Sequence, residues 1–188
     1  MPLNLPNLVT LLRILLIPLI VGIFYLPDAW LSAEGKNIAA TAVFIVAAIT
    51  DWLDGYLARK LNQMSAFGAF FDPVADKLVV VGALIVLLKL GRVDMAVALI
   101  IIGREIAISA LREWMAKLGQ AKSVAVAFVG KLKTVLQMVA IPLLLFEDPL
   151  FGLIDCFALG TVLIYVAALL TVISMLYYLR QALPLARG

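Results

Sequence analysis

The stretch Asp51-Trp52-Leu53-Asp54-Gly55-Tyr56-Leu57-Ala58-Arg59, followed after eight residues by Gly68-Ala69-Phe70-Phe71-Asp72-Pro73-Val74-Ala75-Asp76, sets four carboxylates into a chain otherwise too apolar for water. At α-helical spacing Asp51, Asp54, Gly55 and Ala58 share one face, and Asp72 and Asp76 stand one turn apart on the next helix. Two acidic edges can therefore face one another.

Each Asp at the centre of a membrane helix costs roughly 2.5 to 3.5 kcal/mol on insertion scales. Four without compensation would cost on the order of 10 kcal/mol, comparable with the roughly 5 to 15 kcal/mol that holds a typical domain together. Something must cancel the charge. Two divalent cations would do so, and ligation by oxygen alone suits Mg²⁺ or Mn²⁺. Paired metals between carboxylates also activate both ends of a phosphoryl displacement. The plainer alternative is that Asp54 and Asp72 cap or solvate helix ends, Asp72 as an N-cap before Pro73. Capping, however, requires neither Asp51 nor Asp76.

Outward from this stretch the chain is membrane protein. Of 188 residues 65% are hydrophobic, and the mean hydropathy is +1.12. At about 20 residues per span this predicts an all-α integral membrane fold. Six transmembrane helices and a short N-terminal interfacial helix fill residues 1–188 as a single domain. Apolar runs that are unbroken rather than alternating argue against a β-barrel. Cys156 is the only cysteine and histidine is absent, which excludes internal disulfides, thiolate zinc sites and a histidine base. The net charge of +3 is modest, and no nucleic-acid partner is expected. No basic region precedes the first apolar run, so a cleaved signal peptide is not expected.

Residues 1 to 12 read as the interfacial segment, leading into a first span of about Leu12 to Leu26 that Pro27 ends. Further spans are expected from about Ile38 into the signature, from Pro73 to Leu90, from Met95 towards Met115, from Val124 to Phe146 and from Leu153 to Leu179. With six spans, most basic residues gather on one side, among them Arg13, Arg59, Lys60, Lys77, Arg104, Arg112, Lys117, Lys122, Lys131, Lys133 and Arg180. The other side keeps Lys36, Lys89 and Arg92 with six acids. Positive-inside bias then puts both termini and the signature in the cytoplasm. Trp30, Trp52, Tyr56, Trp114, Tyr177 and Tyr178 fall near span ends, as an interfacial belt would.

Arg59, two helical turns beyond Asp51, is about 12 Å further along the axis at 1.5 Å per residue and can reach a phosphate held by metals. Arg104 and Arg112 lie deep in the fourth span, and Lys131 and Lys133 open the fifth. Together these cations can bind a phosphate on an acceptor alcohol or hold anionic lipid headgroups; the plainer alternative is charge pairing among Arg104, Glu105, Arg112 and Glu113. Gly- and Ala-rich helices also suit pairing as a homodimer. A cation transporter would continue polar residues across the membrane, and the distal halves of these spans lack them.

The pattern D-x2-D-G-x2-A-R-x8-G-x3-D-x3-D resembles, without a departure, the signature of the CDP-alcohol phosphotransferase family. That resemblance implies two divalent cations held by Asp51, Asp54, Asp72 and Asp76, with Asp76 also the catalytic base. It further implies contacts to CDP-diacylglycerol from Asn7, Thr10, Arg13, Asp51, Asp54, Gly55, Ala58, Arg59, Ser65, Gly68 and Asp72. The stretches around Gly103 to Ala116 and Gly130 to Pro142 resemble one bacterial subfamily, the phosphatidylglycerophosphate synthases. By that likeness the acceptor would be sn-glycerol 3-phosphate, its phosphate on Arg104, Arg112, Lys131 and Lys133, and the location the bacterial inner membrane.

Overall fold

The computed structural model describes residues 5–60, 66–117 and 128–182. Six helices make up the described fold: α1 Leu5–Ile23, α2 Ala33–Lys60, α3 Ala66–Lys89, α4 Met95–Lys117, α5 Phe128–Phe146 and α6 Cys156–Ala182. Short turns join α1 to α2, α3 to α4 and α5 to α6, so these neighbours run antiparallel. The signature end of the bundle therefore collects the starts of α1, α3 and α5 and the ends of α2, α4 and α6.

The turns at the opposite end explain where helices begin and stop. Ser32 Oγ accepts from Gly35 N, Asp94 Oδ1 from Ala96 N and Asp155 Oδ1 from Ala158 N, so α2, α4 and α6 each open on a side-chain N-cap. Gly91, at φ +70°, closes α3: its N–H reaches Leu88 O and that of Arg92 reaches Leu87 O, the paired bonds of a left-handed glycine cap. Arg92 then ties three elements together. It donates to Leu144 O and Leu145 O at the end of α5 and to Asn37 Oδ1 on α2, and it pairs with Glu147. Glu147 holds a left-handed backbone at φ 68°, a conformation costly for a residue with a Cβ and here anchored through its side chain. Nearby, the Lys36 ammonium bonds Asp28 and holds that exposed carboxyl below the usual range.

Apolar residues occur both inside and outside the bundle. Ile20, Phe44, Ala83, Leu84, Ile101, Ile141, Leu144 and Ile164 form one buried core. Leu8, Leu12, Leu15 and Leu19 form an exposed stripe down α1, and Ile85, Leu99, Val135, Val162 and Leu169 are also exposed. An apolar exterior of this kind suits lipid. α2, α5 and α6 contain stretches long and apolar enough to cross a membrane. α3 and α4 match them in length, but they carry Asp72, Asp76 and Lys77, and Arg104, Glu105 and Arg112.

Several boundaries differ from those expected: α2 opens at Ala33 behind its Ser32 cap and not near Ile38, α6 opens at Cys156 and not Leu153, and two further differences bear on the site. The interfacial segment and the first span form one continuous helix, because Thr10 and Arg13, each about 1% exposed, turn into the bundle instead of towards headgroups. α3 begins at Ala66 and runs through Pro73, so Asp72 is not an N-cap and the capping alternative fails for it. Close contact between α5 and α6 depends on Gly160, where a Cβ would stand 2.8 Å from Leu144 Cγ and 3.2 Å from Leu143 Cβ. Leu144 is fully buried and has nowhere to go. Gly160→Leu should therefore destabilise the bundle by about 1–3 kcal/mol, measured as a lower Tm in detergent micelles; an unchanged Tm would contradict this packing.

Candidate active site

The signature helices meet at α1. Arg13 Nη1 lies 2.9 Å from Asp51 Oδ1 and 2.9 Å from Asp76 Oδ1, so one guanidinium nitrogen bridges carboxylates from α2 and α3. The two oxygens are thus within two hydrogen-bond lengths of each other. One turn earlier on α1, the Thr10 hydroxyl donates to Asp72 Oδ1 at 2.6 Å. A buried cation held by two carboxylates is a costly thing to break, about 3–5 kcal/mol when one partner is removed. Sequence reading gave Thr10 and Arg13 to the nucleotide; the structure puts both on the aspartates.

This arrangement fits a metal by charge and donor type. Asp51, Asp72 and Asp76 offer only hard oxygens, and the chain itself already sets a cation between two of them. Among the described side chains no group of three acids stands at ligating distance, and Asp54 is outside that set. The backbones of Asn7, Asp54, Gly55, Ala58, Arg59 and Gly68 are helical, their side chains are not described, and Ser65 lies outside the described residues.

The basic residues of α4 and α5 divide. A cavity of about 300 Å³ is lined by Arg13, Asp51, Asp76 and Lys77 on one side and by Glu105, Arg112, Lys133 and Gln137 on the other. Lys133, 3% exposed, pairs with Glu105. Arg112 Nη2 is 3.3 Å from the Tyr178 hydroxyl, and its guanidinium lies over that ring at 5.5 Å. Arg104 sits behind the wall instead of in it. It reaches Ser174 Oγ at 3.3 Å and Glu105 Oε1 at 3.5 Å, with the Tyr178 ring 5.8 Å away. Lys131 is exposed and does not line the cavity, since two helical steps turn it through about 200° from Lys133.

Three residues outside the expected substrate-binding set complete the site. Tyr178 is 1% exposed and stacks on two arginines, whereas the belt reading put it in the interface. Glu105 anchors Lys133, and the signal for it was its place beside Arg104. Gln137, 3% exposed, lies one turn after Lys133 on the same face of α5. Such a polar side chain in an apolar helix was the available signal.

The site thus joins a hard-oxygen carboxylate set to a fixed cation pair across one cavity, a pairing suited to moving a phosphoryl group onto a phosphorylated alcohol. Comparison with known proteins agrees. A family model described as CDP-alcohol phosphatidyltransferase matches residues 3–173. The chain is 48% identical over 185 residues, 97% of its length and 96% of theirs, to proteins named CDP-diacylglycerol--glycerol-3-phosphate 3-phosphatidyltransferase from Shigella flexneri serotype 5b (strain 8401) and Escherichia coli (strain K12). With its signature intact and nearly its whole length matched, the chain belongs to the CDP-alcohol phosphatidyltransferase family.

Proposed function

We propose that the protein transfers the phosphatidyl group of CDP-diacylglycerol to sn-glycerol 3-phosphate, giving phosphatidylglycerophosphate and CMP. The observation that carries this reading is the single cavity shared by Asp51 and Asp76 with Arg112 and Lys133. A phosphorylated alcohol needs fixed cations, an activated diphosphate needs charge compensation, and transfer between them needs both within reach.

In this reading Arg112 and Lys133 hold the acceptor's phosphate, with Glu105 and Tyr178 fixing their side chains. Asp76 takes the proton of the acceptor's terminal hydroxyl, whose oxygen attacks the phosphorus bonded to diacylglycerol; the bond from that phosphorus to the CMP oxygen breaks. Asp51, Asp54, Asp72 and Asp76 would hold two Mg²⁺ or Mn²⁺ ions, which when bound neutralise the diphosphate and stabilise the leaving CMP. Arg13 holds Asp51 and Asp76 close to one another. The cavity adjoins an apolar groove lined by Phe44, Ile45, Ala48, Ile49, Met138 and Pro142, with Ala48 and Met138 common to both. Acyl chains can remain there while the headgroup enters the polar cavity.

The basic bias of the signature end supports a cytoplasmic active site with both termini on that side of a bacterial inner membrane. Inositol phosphate would bring the same anion to the same cations, so the acceptor is the point to test. Release of CMP is measured with glycerol 3-phosphate, inositol phosphate, serine and phosphatidylglycerol, with and without chelator. Glycerol 3-phosphate is expected to be turned over fastest, with chelator abolishing turnover and Mg²⁺ or Mn²⁺ restoring it. Preference for another alcohol would overturn the acceptor, and indifference to chelator would overturn the two-metal site.

A further inference from the structure

Gln137 is out of place as a packing residue. It is 3% exposed, lines the cavity between the carboxylates and the cations, and its Oε1 has no hydrogen-bond partner among the described residues. A buried carbonyl oxygen left unsatisfied is costly, so the group that belongs there carries an O–H or N–H. The acceptor's phosphate cannot be that group, because a phosphate dianion only accepts. Nor can the reacting hydroxyl, whose single proton goes to Asp76.

Glycerol 3-phosphate has one donor left, the hydroxyl on its second carbon. We infer that Gln137 accepts a hydrogen bond from this hydroxyl and thereby selects a phosphorylated polyol over the phosphate of a simple alcohol. The spacing is suitable. Lys133 and Gln137 are one turn apart, roughly 6 Å along the α5 axis, so phosphate on the first leaves the carbon chain extending past the second towards Asp76. The carboxylates of the described wall face cations: Asp51 and Asp76 face Arg13, and Glu105 faces Lys133. Thr134, between them in sequence, gives its hydroxyl proton to Gly130 O at 3.0 Å. Its exposed oxygen can be satisfied by solvent, whereas Gln137 Oε1 is a buried neutral acceptor that only a group in the cavity can satisfy.

This inference rests on the acceptor occupying the cavity as proposed, and the experiment separates the two. The purified enzyme, with CDP-diacylglycerol in detergent micelles, is given glycerol 3-phosphate or 3-hydroxypropyl phosphate, which lacks only the second hydroxyl. The wild type should favour glycerol 3-phosphate by roughly 5- to 100-fold in kcat/KM. Gln137→Met should lose that factor on glycerol 3-phosphate and keep its rate on 3-hydroxypropyl phosphate within about threefold, abolishing the preference. Gln137→Glu, which retains an oxygen at the same reach, should retain a preference. A wild type with no preference, a Gln137→Met enzyme that keeps it, or equal loss on both acceptors while Gln137→Glu loses preference too, overturns the inference. Lys133→Gln is the control for the placement and should raise KM for both acceptors alike. If it raises neither, the acceptor is not in this cavity and both readings fall; if it raises both while Gln137→Met keeps the preference, the Gln137 inference falls alone.

Discussion

Asp76→Asn is expected to reduce turnover by at least about 10³-fold while leaving CDP-diacylglycerol binding nearly unchanged. Removing a general base costs about 10² to 10⁴ in rate, and in the proposed step Asp76 contributes metal ligation as well. The substitution is conservative in shape, and the Asn side-chain oxygen can still accept from Arg13 Nη1, which lies 2.9 Å from Asp76 Oδ1. The tie between α1 and α3 should therefore survive, and with it the fold. Asp72→Asn is a useful comparison, because the Thr10 hydroxyl can still donate to the remaining oxygen and no proton transfer is lost. Its effect should appear more in the concentration of Mg²⁺ needed for half-maximal activity than in turnover at saturating metal. Turnover of the Asp76→Asn enzyme within tenfold of wild type would rule out the base role, whatever the metal does.

What the sequence disclosed and what it withheld follow from the range of the forces involved. Helix ends were legible where local chemistry sets them, as where Gly91 closes α3 and Asp94 opens α4; α6 instead opens on Asp155, past the expected start at Leu153. The start of α3 was misread because Pro73 suggests a first turn, whereas the helix continues to Ala66 on the far side of it. Thr10 and Arg13 were recognised as unusual in an apolar helix. In the structure they meet aspartates about sixty residues away, and nothing local points to Asp72 or Asp76. Tyr178 shows the same limit. Near a span end an aromatic ring is most simply interfacial, and only the packing of α6 on α4 brings it to Arg104 and Arg112. That Asp51, Asp72 and Asp76 come together was readable, because their cost in lipid demands an explanation that no local contact supplies.

Lys131 and Lys133 looked equivalent in sequence, and the structure makes them opposites. Lys133 is buried in the cavity wall beside Glu105, and Lys131 is exposed. A charged hydrogen bond to a substrate phosphate contributes about 1.5–3 kcal/mol, so Lys133→Gln should raise KM for glycerol 3-phosphate by roughly 10- to 150-fold. Lys131→Gln should change it by less than about threefold. Loss of Lys133 also deprives Glu105 of its closest cation, leaving Arg104 at 3.5 Å, and part of the effect could then be structural. Arg112→Gln separates the two contributions, because Arg112 is held by Tyr178, on α6, and still lines the cavity. It should raise KM for glycerol 3-phosphate by a comparable factor, with KM for CDP-diacylglycerol and the Tm both unchanged. Equal sensitivity at Lys131 and Lys133 would mean that the cations serve the membrane surface, since only a site with an inside can tell two lysines on opposite faces of one helix apart.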